Sequence, residues 1–187
     1  MFSATDLAVR NRTYGLFADL GRAPSLDEAA KAAGRSADDV WVAWQRLADG
    51  HAIVLPTETR ALRMASPFSA VETDYRVSIG NKSWYANCAW DAFGICAALH
   101  CDGRIDTSCA DCRDPITVNV VARQADDDTL LFHCLVAAVH WWDDIVFTPS
   151  STTRQSSTAS VSPVRSGISR VVERKTDSQH TDAVARS

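Results

Sequence analysis

Along the first third of the chain apolar residues recur at three- and four-residue steps, and along much of the middle they alternate with polar ones. The segment from about Thr5 to Leu20 carries Leu7, Val9, Tyr14, Leu16, Phe17 and Leu20 at helical spacing. Pro24 interrupts that pattern, and Ser25-Leu-Asp-Glu28 is a capping box that opens a short second helix running to Gly34. Ser36 caps a third, SADDVWVAWQRLADG, whose predicted buried face is Val40, Trp41, Trp44 and Leu47 and which Gly50 ends. HAIVLPTETRALRM reads as two short strands around a PTET turn. Residues 1–66 thus predict a winged helix-turn-helix-like module.

Residues 67–148 have a different texture. DYRVSIG alternates as a strand does, NKS supplies a turn, and WYANCAWDAFGICAALH reads as one helix with Gly94 as its weak point. GRIDTS at 103–108, ITVNVVAR at 116–123 and TLLFHCLVAAVHWW at 129–142 predict strands, with CADCRDP as a turn between the first two. In HWWDDIVFT one of Trp141 and Trp142 is expected inside and the other outside, with Asp143 and Asp144 solvated. The fold class expected is α+β, a winged-helix-like helical module followed by a mixed or antiparallel sheet domain with a cysteine-bearing helix. Residues 149–187 are rich in Ser, Thr and Arg without a period, and read as a disordered or divergent tail.

A net charge of −4 disfavours nucleic acid as a partner, since phosphate binding needs a basic surface. The presumed recognition helix begins with Asp38 and Asp39, and Arg35, Arg46, Arg60 and Arg63 make a thin footprint, so this module is expected to serve packing. No apolar run reaches the roughly 18 residues of a membrane span, and MFSATDLAVRNR lacks the apolar region of a signal peptide, which predicts a cytoplasmic protein. All six cysteines, Cys88, Cys96, Cys101, Cys109, Cys112 and Cys134, fall within one stretch of the middle of the chain. In a reducing compartment such thiols are ligands or nucleophiles more often than disulfides.

Cys88 and Asp91 stand three apart at the start of the predicted helix, so their side chains point the same way. By themselves they allow two readings: a buried thiol with a capping carboxylate, or a nucleophile with its proton carrier. Cys96, Cys101, Cys109 and Cys112 follow a Cys-x4-Cys-x7-Cys-x2-Cys spacing, compatible with a four-sulfur structural zinc site or with separate core thiols. His100 and His133 are substitute ligands in the first case.

Taken in order, WYANCAWDAFGICAAL, GRIDTSC, PITVNV and AVHWW resemble the organomercurial (alkylmercury) lyase family over about residues 81–142. The resemblance implies cleavage of a carbon–mercury bond by protonolysis, giving hydrocarbon and Hg(II) without an organic cofactor. It also implies a winged-helix-like N-terminal module, an organomercurial substrate, small-molecule thiols that carry the metal away, and a mercuric reductase as acceptor of Hg(II). Cys88 resembles the thiol that captures mercury. Asp91 resembles the proton carrier, and burial among Trp84, Trp90 and Phe93 is expected to raise its pKa. The family's second catalytic cysteine falls near Val136 or Ala137, where this chain has none; the nearest thiol is Cys134, on the same face of the predicted strand. Cys109 takes a structural place near the site, and Cys112 is expected to pair with it to hand mercury on. The alternative is a non-catalytic thiol-based metal-binding or metal-sensing protein. Asp91 separates the two, because soft-metal binding needs sulfur whereas carbon protonation needs an acid.

Overall fold

Three helices open the chain in the computed structural model, which describes residues 1–110, 112–127, 130–133, 140–143, 145 and 152–155. They are α1 (Ala4–Leu20), α2 (Leu26–Ala33) and α3 (Ala37–Asp49). The expected capping box at Ser25 and Glu28 forms, and Ser36 accepts from the amide of Asp39. A further box, Ser3 with Asp6, starts α1. Asp6 then does more than cap. Its buried carboxylate accepts from the Ser3 amide at 3.0 Å and hydroxyl at 2.7 Å, and from Arg46 Nε at 2.9 Å and Nη2 at 2.6 Å on α3. Deeper between the same helices, Trp44 Nε1 donates to Thr13 Oγ1, which itself donates to the Val9 carbonyl. Two buried polar side chains are thereby satisfied without water. The buried face of α3 is Val40, Ala43, Trp44 and Leu47; Trp41 lies half-buried under the Arg60 guanidinium instead.

The hairpin expected after α3 is reduced to a single antiparallel bridge, Val54 with Met64. Pro56 has no N–H to continue a ladder beyond Val54. The return segment pairs forward instead, β1 (Met64–Ala65) with β2 (Phe68–Ser69). These join β3 (Tyr75–Ile79), β4 (Lys82–Ala86), β5 (Gly103–Ser108), β6 (Pro115–Val121) and β7 (Gln124–Ala125) in one antiparallel sheet, ordered β1-β2-β4-β3-β5-β6-β7. The sheet is one-sided. Tyr75, Val77, Trp84, Ala86, Ile105, Ile116, Val118 and Val120 are buried, while the alternate positions Arg76, Arg104, Asp106, Thr117 and Asn119 form a polar outer face. Alternation of this kind is what an antiparallel sheet with one wet face requires.

One boundary differs from expectation. Trp84, Tyr85 and Ala86, predicted helical, end β4, and the helix α4 begins only at Ala89 and runs to Leu99. The K-S-W-Y-A segment matches the strand period, and all five of its residues pair with β3 across a turn in which Gly80 adopts φ 59°. Trp84 Nε1 donates to the Phe17 carbonyl at 2.7 Å and so ties the sheet to the end of α1. α4 packs on β3, β4 and β5, where Gly94 admits Pro67: a Cβ at Gly94 would sit 3.1 Å from the proline Cβ. The expected weak point of the helix is therefore a close approach. β8 (Leu130–His133) and β9 (Thr152–Gln155) pair separately, so a short part of the segment read as disordered is a strand. The chain divides into Met1–Ser156 and Ser157–Ser187, the latter wholly outside the described residues. Among the described residues no helix is long and apolar enough to cross a membrane.

The Arg46 guanidinium and the capping hydrogen bonds hold the Asp6 carboxyl at about 2, below the usual carboxylate value. A depressed folded-state pKa stabilises the fold above the unfolded value near 3.9 and withdraws that stability as pH falls through the folded value. Asp6→Asn is therefore expected to lower the unfolding free energy at neutral pH by about 1–3 kcal/mol. The difference from wild type should shrink between about pH 4 and pH 2, which denaturant unfolding at a series of pH values measures.

Candidate active site

The β4–α4 junction explains why a cysteine and an aspartate stand three apart. β4 delivers Asn87 and Cys88 to the mouth of the sheet, and Cys88, extended at φ −156° and ψ 176°, is the N-cap of α4. The Asp91 amide donates to Cys88 Sγ at 3.4 Å, the place usually filled by a serine or aspartate oxygen. The Asp91 carboxylate turns back toward the same cap, accepting from Asn87 Nδ2 at 3.1 Å and from the Cys88 thiol. Thiol and carboxyl thus share one half-buried pocket at the start of the helix.

Burial pushes the Asp91 carboxyl up from its ordinary value, and the hydrogen bonds from Asn87 and Cys88 oppose that only in part. The aromatic residues expected to bury it do not all do so. Trp84 is buried, but Trp90 is 68% exposed and Phe93 40% exposed. At about 100° per residue, neighbours one before and two after Asp91 point to other sides of the helix. Part of the site comes from α1 instead. Tyr14 is half-buried, its hydroxyl donates to the Ala52 carbonyl at 3.1 Å, and its pKa is raised by burial and also by the charge of Asp91.

Sheet register places a second thiol group at the same end. β4 and β5 both flank β3 and run parallel to each other, with Ala86 opposite Tyr75 and Asp106 opposite Arg76. Cys109, buried just after β5, is therefore about 10 Å across the sheet from the β4 exit, two strand spacings away. Its amide donates to the Asp114 carbonyl and its carbonyl accepts from the Arg113 amide. Cys112 is exposed and hydrogen-bonds through its thiol to Asp114 Oδ2 and to Cys109. Arg113 reaches Asp74 at 3.6 Å, binding this turn to the start of β3. Beside them on the inner face, Thr107 Oγ1 is buried with no hydrogen-bond partner among the described residues.

Cys96 and Cys101 lie elsewhere. Cys101 precedes β5 and Cys109 follows it, so the two thiol pairs sit at opposite ends of a six-residue strand, roughly 20 Å apart. The four sulfurs expected as a zinc set therefore do not converge. Among the described residues no group of three or more His, Cys, Asp or Glu is placed to hold a metal ion. Cys134, Val136 and Ala137 lie outside the described residues, as does Asp144, and so do the side chains of β8, His133 among them. Trp142 is stacked on His51 at 4.2 Å between centroids, and Asp143 meets His140 Nδ1 at 2.9 Å rather than water alone.

Two participants escaped the sequence reading. Asn87 was legible in principle, as an amide immediately before a cap. Tyr14 was not, because its helical spacing marks it only as core.

Residues 68–174, more than half of the chain, match the protein family described as alkylmercury lyase. Comparison with curated proteins finds no match. Among solved structures, one described as the mercury-bound form of MerB2 aligns with a TM-score of 0.55 at 18% identity, over 82% of this chain and 74% of that one. At that identity the likeness is one of fold, and it agrees with the α+β, antiparallel architecture seen here. On the match across its sheet domain, this chain belongs to the alkylmercury lyase family.

Proposed function

We propose that the protein is an organomercurial lyase whose capturing thiol is Cys88 and whose proton carrier is Asp91. The observation that carries this reading is their mutual hydrogen bonding at the N-terminus of α4. The helix amide donated to Sγ favours negative charge on sulfur, which is the form that attacks a soft metal. The neighbouring carboxylate is within reach of the thiol proton. In the first step sulfur bonds to mercury, the substrate's other ligand leaves, and the thiol proton passes to Asp91. In the second, Asp91 returns that proton to the metal-bound carbon as the carbon–mercury bond breaks. Hydrocarbon departs and Hg(II) stays on sulfur until external thiols remove it. Desolvation suits Asp91 to this task, because it lets the carboxyl hold a proton that an exposed aspartate would lose.

Cys134 is the proposed second thiol, which would raise electron density on the departing carbon. Cys109 and Cys112 form the proposed hand-over pair, and a mercuric reductase is the proposed acceptor beyond them. A small cleft of mixed polar and apolar lining, with Val54, Arg63, Met64, Val71, Thr73 and Asn87 around it, offers a seat for the organic group. The Thr107 hydroxyl, buried without a hydrogen-bond partner among the described residues, leaves a polar position open on the inner face of the sheet. The three N-terminal helices serve as a winged-helix-like packing module in this reading. Arg46 and Arg60, which a DNA-reading surface would need, are engaged by Asp6 and Asp38.

Two measurements test the assignment. Incubated with an organomercurial and excess thiol, wild type should release hydrocarbon, Asp91→Ala should bind mercury with turnover lowered about 10²-fold or more, and Cys88→Ser should release none. Hydrocarbon release by Asp91→Ala at the wild-type rate would remove Asp91 from the proton-carrier role, and mercury binding by wild type without hydrocarbon release would leave the metal-binding alternative. The second measurement is stability. A carboxyl whose folded-state pKa is raised binds more protons folded than unfolded, so its contribution to stability falls as pH rises above the ordinary value. Asp91→Asn is therefore expected to unfold at higher denaturant than wild type at pH 7, with the gap closing below about pH 4. A less stable Asn variant at pH 7 would show that the carboxylate is not desolvated.

A further inference from the structure

We infer that Cys96 and Cys101 form a second, two-coordinate site for a thiophilic cation, of which Hg(II) is the natural probe, at the end of α4 remote from Cys88. The site is built by the way the helix stops. His100 takes the left-handed conformation at φ 53°, and the Cys101 amide donates back to the Cys96 carbonyl at 3.2 Å. A helix end closed by this six-to-one hydrogen bond commonly brings the side chains of the first and sixth residues together. Here both are cysteines.

The surroundings keep one sulfur inside and one at the rim. Cys96 is 3% exposed and Cys101 is exposed, and both line an open cleft with Phe93, Val120, Asp102 and Arg123. Gly103 makes room for the inner sulfur, since a Cβ there would lie 2.8 Å from Cys96 Sγ. Asp102 accepts from the Ala122 amide at 2.9 Å, fixing the loop across the cleft floor. Burial pushes the Cys96 thiol up, with the neighbouring Cys101 adding to the effect. The inner sulfur therefore keeps its proton until a metal displaces it.

Ligand number selects the cation. Tetrahedral zinc wants four donors, and no cluster of three or more is present among the described residues. A soft cation satisfied by two thiolates needs no more than this pair. Binding replaces two S–H bonds by two S–Hg bonds and releases two protons to solvent. The bis-thiolate complex is neutral, so it can rest against Phe93 and Val120 without burying net charge. The inference goes beyond the lyase reaction, because these thiols are remote from Cys88 and Asp91.

The test uses the full chain carrying Cys88→Ser, with mercuric chloride as probe and a monothiol as competitor. A single equivalent of Hg(II) should slow alkylation of Cys101 about tenfold or more, because metal-bound sulfur is no longer a nucleophile. Adding Cys101→Ser, at an exposed position, should lower the bound Hg(II) by one per chain in mass spectrometry of the native protein. Equal alkylation with and without Hg(II), or unchanged stoichiometry, would overturn the site. In the otherwise wild-type chain Cys101→Ser should leave hydrocarbon release unchanged; its loss would assign the thiol to the lyase reaction and overturn a separate site. Protection of Cys101 in the Cys88→Ser chain, together with no hydrocarbon release by the chain that retains Cys88, would support this site while sinking the lyase reading.

Discussion

A helix capped by sulfur is the constraint on which the rest of the site depends. An oxygen cap would satisfy the first-turn amides of α4 equally well, and Ser3, Ser25 and Ser36 do so for the other three helices. At α4 the cap is Cys88, and the third helical residue is an acid that turns back toward it. The same arrangement at Ser25 is merely structural, with Glu28 half-buried at the surface and paired to Arg22 at 2.7 Å. What differs at Cys88 is environment. Among the described residues no arginine pairs with Asp91, and burial desolvates it, so its charge is opposed rather than neutralised. The capping-box pattern that holds a charge at Ser25 here places a carboxyl whose charge burial disfavours.

The one-sided sheet supplies that environment. Its inner face is covered by α4 and by α1, whose Phe17 carbonyl receives the Trp84 indole and whose Tyr14 senses Asp91. α1 therefore lies beside the pocket, and the buried side chains from Val9 to Val120 form one cluster. The Asp6–Arg46 pair stabilises α1 against α3 and so holds it in place. Two carboxylates at N-terminal turns have opposite fates here. Asp6, beside a guanidinium, is held charged; Asp91 is pushed toward its neutral form by burial, against the opposing hydrogen bonds from Asn87 and Cys88.

Much of this was legible in the sequence, for physical reasons that can be named. Helical spacing and capping serines mark α1 to α3 because both signals are local. The three-residue step from Cys88 to Asp91 survives any error in the helix boundary, since the cap and the third helical residue still meet. What failed was non-local. Trp84 looks helical beside Ala86 and Ala89 until β3 is there to pair with it. Trp90 and Phe93 look like cover for Asp91 until the helix phase is set by the cap. The four cysteines that suggest zinc by spacing are separated by the length of β5, which only the sheet reveals. Tyr14 reaches the site from a distant helix, a route that leaves no mark on local pattern, whereas Asn87 stands immediately before the cap and could be read once that cap is placed.

The length of α4 also separates two kinds of sulfur chemistry. Cys88 and Cys96 are eight residues apart, about 12 Å along the axis. Two sulfurs on one metal are on the order of 5 Å apart, twice a metal–thiolate bond. A cation held at the start of the helix therefore cannot also be held by the thiols at its end, and metal moving between them must leave one pair before joining the other. Cys109 and Cys112, at the same end of the sheet as Cys88, are not so excluded in principle. The fold thus groups its thiols by distance from the Asp91 carboxyl: Cys88 shares its pocket, Cys109 and Cys112 lie at the same end of the sheet, and Cys96 and Cys101 lie at the far end of the helix.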